Sequence, residues 1–180
     1  MSVRTIAGPV FAIAGPIDTD TIIKSRHCTT ADPTALGRHC LAELDCSPAF
    51  VPGRYPVILC GDVFGIGSAR VQAPLALAGA GVEAVLAPAF APIFFETCLN
   101  GAHLLPLVWP RPVLPATGTA ARLDLGSTEA RLAIAGSTRG FTHGLPAWAI
   151  EGRTWMDFIA ARAAAAGGLD RLRRRGLAER

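Results

Sequence analysis

Residues 65–73 read Gly65-Ile66-Gly67-Ser68-Ala69-Arg70-Val71-Gln72-Ala73, shortly after the apolar run Val57-Ile58-Leu59-Cys60. An apolar strand enters a glycine turn, and a serine and an arginine stand where a helix is expected to start. Backbone N–H groups at a helix start attract anions. Arg70 adds a planar fork that matches a carboxylate. Ser68 adds a hydroxyl whose ionisation the same positive field favours. Together they make half of an active site for a small, acidic substrate.

Other chemistries fit these residues less well. A dinucleotide fingerprint needs a third small residue where Arg70 stands, and an acid at the end of the next strand, whereas Glu83 lies inside it. A phosphate loop of the Gly-Lys-Ser or Gly-Lys-Thr type is missing. A nucleophile elbow requires Gly-x-Ser-x-Gly, but Ala69-Arg70 follows Ser68. His103 and His143 qualify as bases by residue type alone. The pairs His27-Cys28 and His39-Cys40 suggest zinc, yet adjacent ligands rarely converge on one ion, so no metal site is expected on this chain. Ser68 also has a purely structural reading as a helix N-cap, and Asp18 reads as a turn former.

The elements that must hold Ser68 and Arg70 follow from the pattern around them. Val10–Ile13 reads as a strand, Asp18–Thr21 as a polar loop, and residues 33–44 as a helix opened by Asp32-Pro33. Then come strand 57–60, helix 70–80, strand 82–87, helix 90–99 and strand 104–108. This β-α-β-α-β order predicts parallel strands with right-handed crossovers. After the connector Pro110–Pro115, segments 121–125 and 130–135 flank Gly126-Ser127-Thr128-Glu129 as a hairpin. An Ala-rich helix over 155–166, Gly167-Gly168 and a basic helical tail to residue 180 complete one α/β domain with an antiparallel appendage.

The composition is globular, with 51% apolar and 17% charged residues. Gly and Pro interrupt every apolar stretch well short of a membrane span, and the first residues do not resemble a signal peptide. Five cysteines form no regular framework, which suits reduced thiols in a cytoplasm. Much of the net charge of +3 comes from tail arginines without interleaved aromatics, so neither nucleic acid nor a membrane is an expected partner.

Three stretches, taken in order, resemble one family. Ile17-Asp18-Thr19-Asp20-Thr21-Ile22-Ile23-Lys24-Ser25-Arg26, the Gly65–Ala73 loop and Ala89-Phe90-Ala91-Pro92-Ile93-Phe94 are similar to motifs of the small subunit of isopropylmalate isomerase (3-isopropylmalate dehydratase), within the aconitase superfamily. The resemblance covers most of residues 10–108. It implies the aconitase-type swivelling β/β/α domain, with a mainly parallel central sheet. It also implies a hydro-lyase subunit that moves a hydroxyl between neighbouring carbons of a 2-hydroxy di- or tricarboxylate. The 4Fe–4S cluster is then expected on a separate large subunit, and none on this chain. Carried over by motif, Ser68 is the base, Arg70 a carboxylate clamp and Arg26 a second clamp. Gly67 and Ala69 lie in the substrate-binding loop, and Thr29 in the specificity loop His27-Cys28-Thr29-Thr30.

The chain departs from the family pattern. Ala69 replaces a second serine, Val71 a glutamate and Lys24 a proline. Without that glutamate Arg70 has no obvious partner. A second reading therefore stands beside the enzyme: a non-catalytic or specialised-metabolism paralogue serving as an assembly or regulatory partner. The polar loop 27–30 predicts that isopropylmalate is not strongly preferred over smaller or more polar diacids.

Overall fold

The computed structural model describes residues 4–101, 104–110 and 114–151. Among the described residues, nine strands and five α-helices follow in the order β1 (Arg4–Ile13), β2 (Ile17–Asp18), α1 (Thr19–Ile22), α2 (Pro33–Gly37), β3 (Val57–Cys60), β4 (Phe64–Ile66), α3 (Gln72–Gly79), β5 (Ala84–Ala87), α4 (Pro92–Gly101), β6 (Leu105–Val108), β7 (Ala120–Leu125), β8 (Glu129–Ile134), β9 (Ser137–Thr142) and α5 (Ala147–Ile150). Seven strands form one sheet in the order β6-β5-β3-β1-β7-β8-β9.

The sheet changes character along β1. Val10–Ile13 pair in parallel with β3, and Arg4–Pro9 pair antiparallel with β7. β3, β5 and β6 continue the parallel half; β7, β8 and β9 continue the antiparallel half. The antiparallel appendage is thus continuous with the parallel sheet. Each half has the side-chain pattern its environment requires. Ile58 and Cys60 of β3 enter one apolar cluster and Val57 and Leu59 the other, so the strand is apolar throughout. In β8, by contrast, buried Ala130 and Leu132 alternate with exposed Glu129 and Arg131.

α2, α3 and α4 cover one face of the parallel half through Leu36, Leu77 and Phe94. α2 and α3 cross with their backbones in contact: a Cβ on Gly79 would fall 1.7 Å from the Pro33 carbonyl oxygen.

Several expected boundaries move, for local reasons. The helix expected over 33–44 stops at Gly37 and gives way to turns. Leu41 adopts φ 53° and donates its N–H to the Ile22 carbonyl at 2.8 Å instead of continuing the helix. The helix expected from residue 90 starts at Pro92, because Phe90 forms a bridge with Phe64 and the Ala91 N–H bonds the Phe64 carbonyl. The helix expected from residue 70 starts at Gln72. β2, β4 and β9 were not anticipated. The first two span two and three residues, and β9 is almost wholly exposed, so it lacks an apolar alternation. The helix expected at 155–166 and the basic tail lie outside the described residues.

Candidate active site

The three stretches that stood apart in the sequence meet around Phe64. β2 runs parallel to β4, with Ile17 opposite Phe64 and Asp18 opposite Ile66. On the other side, the Phe64 N–H bonds the Ala89 carbonyl and the Phe64 carbonyl accepts from Ala91, both at 3.0 Å. The Phe94 ring then lies over the strand, 5.5 Å from the Phe64 ring. A Cβ on Gly65 would sit 2.2 Å from Phe94 Cγ, and Gly65 has φ +80°, so only glycine fits there.

Beyond β4 the chain turns through Gly67, at φ +93°, into the exposed pair Ser68-Ala69 and then Arg70. The Arg70 N–H bonds the Ser68 carbonyl at 2.8 Å, which closes a tight turn. Ser68 therefore lies four residues ahead of the first residue of α3 and is not its cap. The capping position belongs to Val71, which has no side-chain cap bond. The Ser68 hydroxyl has no hydrogen-bond partner among the described residues.

A cavity of about 190 Å³ opens at this turn. Gly67, Ser68, Ala69 and Arg70 form one side, Thr19 contributes from α1, and the first turn of α4 forms an apolar wall with Pro92 and Ile93. Ile93 of this wall is 58% exposed, and Val71, next in sequence to Arg70, is 56% exposed, so two large apolar side chains stand open to solvent at or next to the cavity-lining segments.

Two residues that the sequence reading did not assign to the site hold this turn. Thr19, 2% exposed, donates its hydroxyl to the Ser68 carbonyl at 3.0 Å. Asp20 accepts from Arg70 Nη1 at 2.5 Å and so supplies the carboxylate that Arg70 lacks in its own loop. The available signal was the Val71 departure, which left an arginine needing an acid from elsewhere. Asp18 does serve the turn: its carboxylate caps α1 by accepting from the Thr21 N–H. Burial raises the pKa of this carboxyl, but the hydrogen bonds from Thr21 and the charge of Lys24 outweigh it and hold the group below the ordinary carboxylate range.

Arg26 and Thr29 stand outside this cavity. Arg26 lies on a 3-10 turn, Ser25–His27, where it pairs with Glu43 and donates Nε to His27 Nε2 at 3.3 Å. Its neighbour Ser25 reaches Asp20 Oδ1 at 3.5 Å, which places this turn next to the Asp20–Arg70 pair. His143 lies elsewhere, with Nε2 3.1 Å from the Gly126 carbonyl oxygen. His103 lies outside the described residues. A larger hollow of about 430 Å³ lies beside the β7–β8 turn. Arg122 and Asp124 pair within it at 2.9 Å, so much of its charge is already neutralised.

The described residues include no group of three or more histidine, cysteine or acidic side chains able to hold a metal. Cys40, Cys60 and Cys98 are buried, and burial raises their thiol pKa values. That favours inert core thiols over thiolate ligands for these three.

Residues 49–112, which include the Gly67–Arg70 turn, match the family model described as the aconitase C-terminal domain. A crystal structure of 3-isopropylmalate dehydratase from Methanocaldococcus jannaschii superposes with a TM-score of 0.64 at 29% identity, over 98% of each chain. The 3-isopropylmalate dehydratase small subunit of Moorella thermoacetica is 37% identical over 141 residues, 77% of this chain and 81% of its own length. That of Metallosphaera sedula is 45% identical over 105 residues, 57% of this chain, and the match spans 63% of its length. The chain belongs to the 3-isopropylmalate dehydratase small-subunit family.

Proposed function

We propose that this chain is the small subunit of a two-chain hydro-lyase that dehydrates and rehydrates a 2-hydroxy dicarboxylate. The observation that carries this reading is the Gly67–Arg70 turn, which puts a free serine hydroxyl and a guanidinium at one cavity. Arg70 binds a substrate carboxylate. Ser68, as its alkoxide, takes a proton from the carbon beside a carboxylate, and the hydroxyl departs from the neighbouring carbon. Adding water in the opposite sense leaves the hydroxyl on the carbon that lost the proton. A serine is a poor base, so the cation of Arg70 beside it is part of the chemistry. Gly67 and Ala69 keep the turn free of side chains that would fill the cavity.

The partner we infer is a large subunit carrying a 4Fe–4S cluster, which when bound supplies Lewis acidity toward the departing hydroxyl. The relatives' description as small subunits and the exposed side chains of Val71 and Ile93 support it. The apolar wall from α4 favours a substrate with an alkyl branch, against the expectation drawn from the polar loop 27–30, none of whose residues lines the cavity. Arg26 is the reserve for a second carboxylate contact once the partner is docked. Five unpaired thiols suit a reducing cytoplasm.

The test is a dehydratase assay on the purified chain, alone and mixed with its iron–sulfur partner, using isopropylmalate and unsubstituted malate. The mixture turns over and the isolated chain does not. Turnover by the isolated chain, or none by an assembled complex, contradicts this reading.

A further inference from the structure

We propose that α1 holds the two working residues in register, with Thr19 positioning the Ser68 peptide and Asp20 positioning the Arg70 guanidinium. The inference rests on the roles given to Ser68 and Arg70 above.

Thr19 is the one buried polar residue among the described residues, and its hydroxyl is spent on the Ser68 carbonyl. That carbonyl also accepts the Arg70 N–H, so the Ser68 peptide is fixed from both sides. Asp20, the next residue, accepts from Arg70 Nη1, and the same nitrogen lies 3.5 Å from the Ile23 carbonyl oxygen. Both contacts come from α1 or the residue that ends it. Only Nη1 is engaged within the described residues, which leaves the Nε–Nη2 edge of the fork for a carboxylate to bind two-pronged.

The support is itself rigid. Asp18 caps α1, Ile22 and Ile23 are buried at 0% and 1% exposure, and β2 is paired to β4 immediately before it. Because Val71 carries no charge, the hold on Arg70 comes from α1 rather than from the loop.

The experiment is steady-state kinetics on the complex assembled with the iron–sulfur partner, comparing wild type with Thr19→Val, Thr19→Ser, Asp20→Ala and Ser68→Ala. A misplaced reacting group lowers the chemical step, and a misplaced clamp weakens binding. Thr19→Val is expected to lower kcat about tenfold while KM stays within about twofold, and Thr19→Ser to restore kcat. Asp20→Ala is expected to raise KM about tenfold with a smaller effect on kcat. Asp20 is half-exposed, so this variant keeps the test open even if Thr19→Val fails to fold.

Wild-type constants for Asp20→Ala, or a lower KM, would overturn the proposal; the latter would mean that Asp20 only competes for Arg70. If Ser68→Ala is inactive while both α1 variants match wild type, the α1 proposal alone fails. If Ser68→Ala keeps its turnover, the proposed function fails with it.

Discussion

Ser68 and Arg70 stand out in the sequence because the features that single them out are local: a glycine turn, a hydroxyl and a fork within four positions. Their supports were not readable in the same way. Thr19 and Asp20 lie about fifty residues away in sequence and act through one contact each. The general rule that an arginine near a substrate needs an acid points only to some carboxylate, and Asp18 and Asp20 look alike until the turn is folded. At this scale, Arg70→Lys tests the fork. Lysine keeps the charge and its pairing with Asp20 but loses the two-pronged geometry. The expected result in the assembled enzyme is a fall in kcat/KM of roughly ten- to a hundredfold, matching the loss of about 1.5–3 kcal/mol for a charge-assisted bond. Unchanged kinetics would move the clamp elsewhere, with Arg26 next in line.

At the scale of elements, the long apolar strands were evident and the short ones were not. β3, buried on both faces, announces itself as an apolar run, whereas β2 and β4 are too short to show a period and exist because Phe64 is bonded from two sides. The expected helix over 33–44 shows the same limit, since the Ile22 carbonyl captured the Leu41 N–H. The packing around β4 predicts that Gly65→Ala is costly. Its Cβ would meet the Phe94 ring at a backbone angle that disfavours alanine. A loss of about 1–3 kcal/mol in urea unfolding is expected from overpacking, and a wild-type midpoint would contradict that contact.

The 3-10 turn makes a separate prediction. The His27 and His39 rings stack at 3.9 Å, and Arg26 donates to His27. Desolvation, with the charges of His39 and Arg26, holds the His27 pKa below 6.5. The unfolded chain then binds more protons in the window just below that value, so stability rises with pH across the window and is lost as pH falls through it. An NMR titration is expected to place the His27 midpoint below 6.5. A midpoint above it would show that the stack does not persist in solution.

At the scale of the molecule, the parallel half of the sheet followed from the alternation of strand and helix, and the family from three motifs in order. Their meeting around Phe64 gives the resemblance a physical basis, since each motif contributes one side of the same cavity. The continuity of the antiparallel strands with that sheet depends on β1 serving both neighbours, which no local pattern announces. The exposed side chains of Val71 and Ile93 are the surface proposed for the partner. The most direct measurement of the central claim is a titration of a fixed amount of iron–sulfur partner with this chain, wild type against Ser68→Ala, following both assembly and dehydratase turnover. Equal saturation by the two chains is expected, with turnover about 10²–10⁴-fold lower for Ser68→Ala, the range for loss of a positioned general base. A Ser68→Ala complex that keeps more than half of wild-type turnover would contradict it.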